Sequence, residues 1–186
     1  MPFEFEETSI QDVILVKPQV FGDDRGYFME TYVGEDFEKA GIKSSFIQDN
    51  HSRSKRGVLR GLHFQKEPYA QAKLVRCLRG KIYDVAVDLR ESSDTFGEYV
   101  STILSEENKH QLYVPRGFAH GFLVLNDEAD VVYKVDNDYS PEHEGGLIWN
   151  DPQVNIDWPE ENPLLSNKDE NWPTLEELKE KGETFS

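Results

Sequence analysis

The sequence predicts an all-β protein, a sandwich or barrel, and three observations carry that reading. Short segments of strand-like patterning recur along the middle of the chain, turn residues punctuate them, and helical periodicity is confined to two brief stretches. Segment 81–89, KIYDVAVDL, is the plainest case, with Ile, Tyr, Val and Leu alternating against smaller or polar residues at the period of a half-buried strand. Similar segments lie at 13–16, 57–63, 74–78, 99–104, 111–114, 118–125 and 131–135. Turn signals separate them at Arg79-Gly80, Ser92-Ser93-Asp94, Pro115-Arg116-Gly117 and Asn126-Asp127. Many short strands at this spacing describe layered sheets, not alternating βα units.

The helical exceptions are peripheral. Residues 34–40, GEDFEKA, predict about two turns that Gly41 terminates. Residues 174–179, TLEELK, carry a capping-box pattern from Thr174 to Glu177 and predict a short surface helix. Between Trp149 and Trp172 runs a Pro- and Asn-rich stretch without usable periodicity. Its Trp149, Ile156, Trp158, Leu164 and Leu165 predict a tail glued onto the barrel, the segment from about 150 to 186 wrapping over it.

Length and charge bound the function. A chain of 186 residues is expected to form one domain, residues 1–186, with a core large enough to need no staples. The 36 acidic against 20 basic residues leave a net charge of −16, which argues against nucleic acid or an anionic membrane as partner but not against a small anionic ligand. A single cysteine, Cys77, rules out an intrachain disulfide and suits a reducing compartment. No apolar run approaches a membrane span, and the acidic start MPFEFEETSI lacks a signal-peptide core, so a cytoplasmic protein is expected.

Two polar clusters interrupt apolar surroundings. The first is GVLRGLHFQ at 57–65, where Arg60 and His63 would point to opposite faces of a regular strand. Gly57 and Gly61 weaken that inference, since strand glycines often mark a bulge or a close approach of ligand. The second is PRGFAHGF at 115–122, in which His120 opens an apolar strand and is compatible with a core histidine. Together with Lys73 and Tyr133, these histidines are tools for removing a proton from carbon beside a carbonyl: a base, a cation for the developing enolate and an acid for the other face. Spacing alone does not bring the four together; only resemblance to a known family does.

The two histidine-bearing motifs resemble those of the cupin superfamily, which implies a jelly-roll β-barrel with a few short peripheral helices. Metal cupins carry an H-x-H pair and a nearby glutamate in the first motif. Here the pair reads His63-Phe64-Gln65 and Lys73 stands near the glutamate's place, so we expect neither metal nor other cofactor. From FGDDRGYF at 21–28 to SNKD at 166–169, through QDNHS, 57–65, 83–90, 115–122 and DYSPE, the chain resembles the metal-free dTDP-4-dehydrorhamnose 3,5-epimerase family.

That resemblance implies inversion of carbons 3 and 5 of dTDP-4-dehydro-6-deoxy-D-glucose through an enolate. It implies His63 as base, Asp169 as the carboxylate orienting it, and Tyr133 as the opposite-face acid. Lys73 and His120 become contacts near the ketone oxygen, and Arg25, Arg60 and Lys168 meet the nucleotide or its diphosphate. Gln48, Asp49 and Asn50 hold the thymidine, Tyr139 stacks on the thymine, and Glu30 and Glu144 occupy further binding positions. A homodimer with sites shared between subunits is implied, Arg25 and Glu30 crossing over. Where the family often has arginine, this chain has Lys168, which keeps the charge and loses the bidentate fork. The alternatives are a mono-epimerase on a related nucleotide sugar, a non-catalytic sugar-nucleotide-binding cupin, and a metal-dependent cupin.

Overall fold

A strand whose side chains alternate presents two faces, and this chain buries the inner faces of its two large sheets against each other and covers part of each outer face. The computed structural model describes residues 2–186. The first half contains β1 (Phe3–Glu7), β2 (Ile14–Pro18), β3 (Phe21–Asp23), β4 (Gly26–Phe28), α1 (Gly34–Lys39), β5 (Gln48–Lys55), β6 (Leu59–Gln65), β7 (Lys73–Arg79) and β8 (Lys81–Asp88). The second contains β9 (Tyr99–Ser105), β10 (Gln111–Val114), β11 (Phe118–Val124), β12 (Glu128–Val135), β13 (Glu144–Gly146) and α2 (Leu175–Glu180). Six strands pair in the order β1-β2-β10-β7-β12-β5 and five in the order β13-β6-β11-β8-β9, while β3 and β4 form a separate hairpin. All the pairings between these strands are antiparallel.

Three apolar clusters follow from the alternation. Between the sheets, Val75, Leu112 and Val131 of one meet Ile82, Ala86 and Phe122 of the other. Outside the five-stranded sheet, Leu62, Phe64, Val85 and Val87 pack under Leu147, Val154, Leu175, Leu178 and Phe185, so the C-terminal segment does wrap the barrel. Outside the six-stranded sheet, Phe3, Val16, Leu74 and Tyr113 are covered by Phe37 of α1 and by Ile42. The tail is pinned by buried Asp151, whose carboxylate accepts from the backbone N–H groups of Gln153, Val154 and Leu175. One expected anchor behaves differently: the Leu164 side chain is 60% exposed, and that point of the tail is held by backbone bonds to Gly57 and Leu59.

The two helices form where the sequence places them, α1 running into Gly41 at φ +88° and α2 carrying both halves of its capping box. The predicted strand at 57–63 begins two residues later, and β5 was not predicted at all. On β5 the inward face is Gln48, Asn50, Ser52 and Ser54 and the outward face Asp49, His51, Arg53 and Lys55, so no apolar alternation announces it. Strands β1, β3, β4 and β13 also escaped, the last three being only three residues long. Among the described residues no helix is long and apolar enough to cross a membrane.

The local feature that matters most is in β6. His120 lies opposite His63 and Phe122 opposite Arg60, so β6 uses one residue more than β11 between those pairs. The extra residue brings Arg60 and His63 onto the same wall, overturning the opposite-face expectation. It also brings the two strands very close: a Cβ on Gly61 would lie 2.6 Å from the Gly121 Cα, and one on Gly121 would lie 2.7 Å from the Arg60 carbonyl oxygen. Gly61 sits at φ +129°, which side chains rarely adopt. Gly61→Ala should therefore destabilise by about 2–4 kcal/mol, combining left-handed backbone and overpacking costs. Gly57→Ala, at φ +77° with nothing within 4 Å, should cost only about 1 kcal/mol or slightly more in urea unfolding.

Candidate active site

The inward-facing residues change character along the strands. Towards one end β7 and β12 contribute Cys77, Val75 and Val131; towards the other they contribute Lys73 and Tyr133. The polar end opens into two adjoining cavities. The inner one, about 200 Å³, is lined by Ser52, Arg60, His63, Lys73, His120, Phe122 and Tyr133. The outer one, about 320 Å³, adds Gln48, Asn50, Gln65, Gln71, Tyr139 and Glu144, and shares His63, Lys73 and Tyr133 with the inner. The fold thus gathers the four side chains that spacing could not join.

The walls have different origins. His63 and His120 face each other across β6 and β11 of the five-stranded sheet, whereas Lys73, Tyr133 and Asn50 come from β7, β12 and β5 of the six-stranded one. A molecule between the sheets meets an imidazole on one side and a phenol on the other.

His63 donates from Nε2 to Asp169 Oδ1 at 2.5 Å, an assignment of the tautomer that leaves Nδ1 as the nitrogen available to take a proton. Asp169 arrives from the tail and is 4% exposed. Burial opposes its charge, but hydrogen bonds from His63, Ser166 and Trp172 outweigh that and hold the carboxyl below its ordinary range. A second pair lies deeper: His120 Nε2 bonds Asp84 Oδ1 at 2.9 Å, both residues buried, and burial keeps the His120 pKa low.

Lys73 donates to the His63 carbonyl oxygen at 3.2 Å, and burial drives its pKa from 10.5 down to about 8, only partly opposed by the charges of Asp84 and Glu144. Burial raises the Tyr133 phenol, with the nearby Arg60 charge pulling the other way, so the hydroxyl keeps its proton at neutral pH. Arg60 itself is steadied by Nε donating to Ser54 Oγ at 2.8 Å. Gln65 uses its amide on the neighbouring loops, donating to the Tyr69 and Asp138 carbonyls and accepting from the Ser140 N–H. Its position in the H-x-H pattern thus clamps the loop that carries Tyr139. Among the described residues no group of three His, Cys, Asp or Glu side chains is arranged to hold a metal.

The remaining sequence-predicted residues are placed as follows. Tyr139 donates to Glu144 Oε2 at 3.1 Å, and the same oxygen pairs with Lys168, which ties the three to the outer cavity's rim. Asp49 lies on the outward face of β5, paired with Lys134 at 2.8 Å, and does not line the cavity. Arg25 sits on the β3–β4 hairpin, bonded to Asp23, and Glu30 follows that hairpin in exposed chain, so neither reaches this chain's own cavity.

Four residues escaped the sequence reading: Asp84, Ser52, Ser166 and Trp172. Asp84 had a signal, a carboxylate standing between Ile82 and Ala86 on the face of 81–89 that builds the core. The other three had none, because their importance lies only in what the fold sets beside them.

Comparison with known proteins meets this geometry independently. A family model described as dTDP-4-dehydrorhamnose 3,5-epimerase matches residues 7–177. A dTDP-4-dehydrorhamnose 3,5-epimerase of Shigella flexneri is 59% identical over 166 residues, 89% of this chain and 92% of that protein. The dTDP-6-deoxy-D-glucose-3,5-epimerase of Legionella pneumophila Philadelphia 1, solved with dTDP-4-keto-L-rhamnose, superposes with a TM-score of 0.91 at 46% identity, covering 94% and 93% of the two chains. A 3′-monoepimerase from Streptomyces bikiniensis, solved with dTDP-quinovose, also gives 0.91, at 35% identity and 97% and 92% coverage. These neighbours share the jelly-roll barrel expected from the sequence. The chain belongs to the dTDP-4-dehydrorhamnose 3,5-epimerase family.

Proposed function

We propose that this protein inverts carbons 3 and 5 of dTDP-4-dehydro-6-deoxy-D-glucose, giving dTDP-4-dehydro-6-deoxy-L-mannose for dTDP-L-rhamnose synthesis. The observation that carries the reading is a base dyad on one wall of the cavity facing a protonated phenol and an ammonium on the other. The ketone at carbon 4 acidifies the hydrogens on carbons 3 and 5. His63 Nδ1 takes one of them, and Asp169 supports the resulting imidazolium. Lys73 stabilises the enolate oxygen, and His120 joins it once protonated, a form that the Asp84 carboxylate on its Nε2 supports as negative charge develops nearby. Tyr133 returns a proton to the opposite face, which inverts the centre. The proton left on His63 and the one missing from Tyr133 are restored from solvent, so solvent hydrogen enters the product.

The nucleotide belongs in the outer cavity, with Gln48 and Asn50 reading thymine and Tyr139 stacking on it. Arg60 and Lys168 serve the diphosphate, and Glu144 orders Lys168 and Tyr139 between ligands. Asp49 contributes through its hold on Lys134 beside that strand. We place the action in the cytoplasm as a homodimer without nucleic-acid or membrane partners. The free, buried Cys77 and the charge of −16 support this. The hairpin's Phe21, Tyr27 and Phe28, 51%, 60% and 66% exposed, suit burial against a second copy, which would carry Arg25 and Glu30 into that copy's site. The monoepimerase shares the fold, so the number of carbons inverted rests on the closer identity of the 3,5-epimerases.

Proton NMR of the substrate in deuterium oxide tests the assignment: deuterium should enter at both carbons. His63→Asn should slow exchange at both by at least about 100-fold while dTDP-sugar still binds. Tyr133→Phe should retain exchange and lose full inversion, and wild-type inversion in that variant would refute its role as acid. A lysine depressed to about 8 is cationic below that pH and neutral above it, so kcat/KM should fall as pH rises through about 8. Lys73→Met should lower kcat about 100-fold and abolish that alkaline fall. Mixing inactive Arg25→Ala and His63→Asn homodimers should restore activity as subunits exchange, since one site of each heterodimer would be intact.

A further inference from the structure

We propose that Trp172 is a positioning residue for proton abstraction, acting through Asp169 and, by the same ring, seating Lys168. The indole Nε1–H donates to Asp169 Oδ1 at 3.2 Å, the oxygen that also accepts from His63. Ser166 Oγ donates to the other oxygen at 2.9 Å, so the carboxylate is held at both ends and cannot rotate freely. The indole stands edge-on to the His63 ring with centroids 6.0 Å apart. Lys168 Nζ lies 5.5 Å over its face.

The ring's own place is dictated by a gap in the sheet. Gly146 on β13 pairs in register with His63, and a Cβ there would lie 2.2 Å from the indole. Only a glycine lets the ring lie against β13 at the level of the histidine. The contact therefore joins three parts of the chain: a strand without a side chain, the tail carboxylate and the base. A donor on Oδ1 shares the carboxylate's charge and helps to keep it ionised. Losing that donor should raise the Asp169 carboxyl towards its ordinary range and leave the base less well aimed. A misplacement of reacting groups by about 1 Å can cost on the order of 100-fold in rate, so a partner that aims the base is felt in turnover.

The proposal rests on the role given above to His63, and its test separates the two. Trp172→Phe keeps a ring against Gly146 and over Lys168 but removes the N–H. It should lower kcat for exchange at both carbons about tenfold with KM unchanged, and move the acid limb of the pH profile upward. Wild-type kcat and limb would overturn the proposal, as would a rise in KM alone, which would place the indole's effect on Lys168. In the ligand-free protein, ¹⁵N resonances of the His63 ring should shift in Trp172→Phe. Unmoved resonances overturn the proposal even if the wild-type protein turned nothing over. Should Trp172→Phe fail to fold, site-specific replacement of Trp172 by benzothienylalanine keeps the bicyclic shape without the N–H and answers the same question.

Discussion

One extra residue in β6 governs the rest. Without it the Arg60 and His63 side chains would leave the strand on opposite faces, and the imidazole would share no wall with the guanidinium. Two glycines make the insertion possible, because at Gly61 and Gly121 the backbones of β6 and β11 approach too closely for any Cβ between them. The cavity is thus shaped first by the absence of side chains.

That cavity places charge where a sandwich ordinarily puts hydrocarbon. An interior carboxylate, imidazole or ammonium is tolerated when partners satisfy it, and most groups here have one. His63 has Asp169 and His120 has Asp84. Lys73 has, among the described residues, one hydrogen bond, to a carbonyl oxygen at 3.2 Å, and burial depresses its pKa to about 8. In the proposed reaction the developing enolate pairs with this buried charge. Asp84 keeps one buried oxygen unpartnered as well, within the same polar region.

The tail belongs to the same design. Its apolar residues coat the five-stranded sheet, and that coat delivers Asp169 to a histidine 106 positions earlier in the chain. Packing energy spread over Leu147, Val154, Leu175, Leu178 and Phe185 thereby fixes one carboxylate oxygen to within hydrogen-bonding distance. Stability and chemistry share these contacts.

Much of this was legible beforehand. Period-2 alternation determined the apolar strands, and Gly41 and the Thr174–Glu177 box determined the helix boundaries, because each is a local pattern that backbone geometry enforces; the family was legible through the resemblance of the combined motifs. Strand β5 was illegible for a physical reason: its inward face lines a polar cavity, so it lacks the hydrophobic signature by which strands are read. The shared face of Arg60 and His63, the outward turn of Asp49 and the grip of Trp172 on Asp169 were decided only in three dimensions. They depend on register and on which distant backbone comes within a few ångströms, and no spacing along the chain encodes that distance.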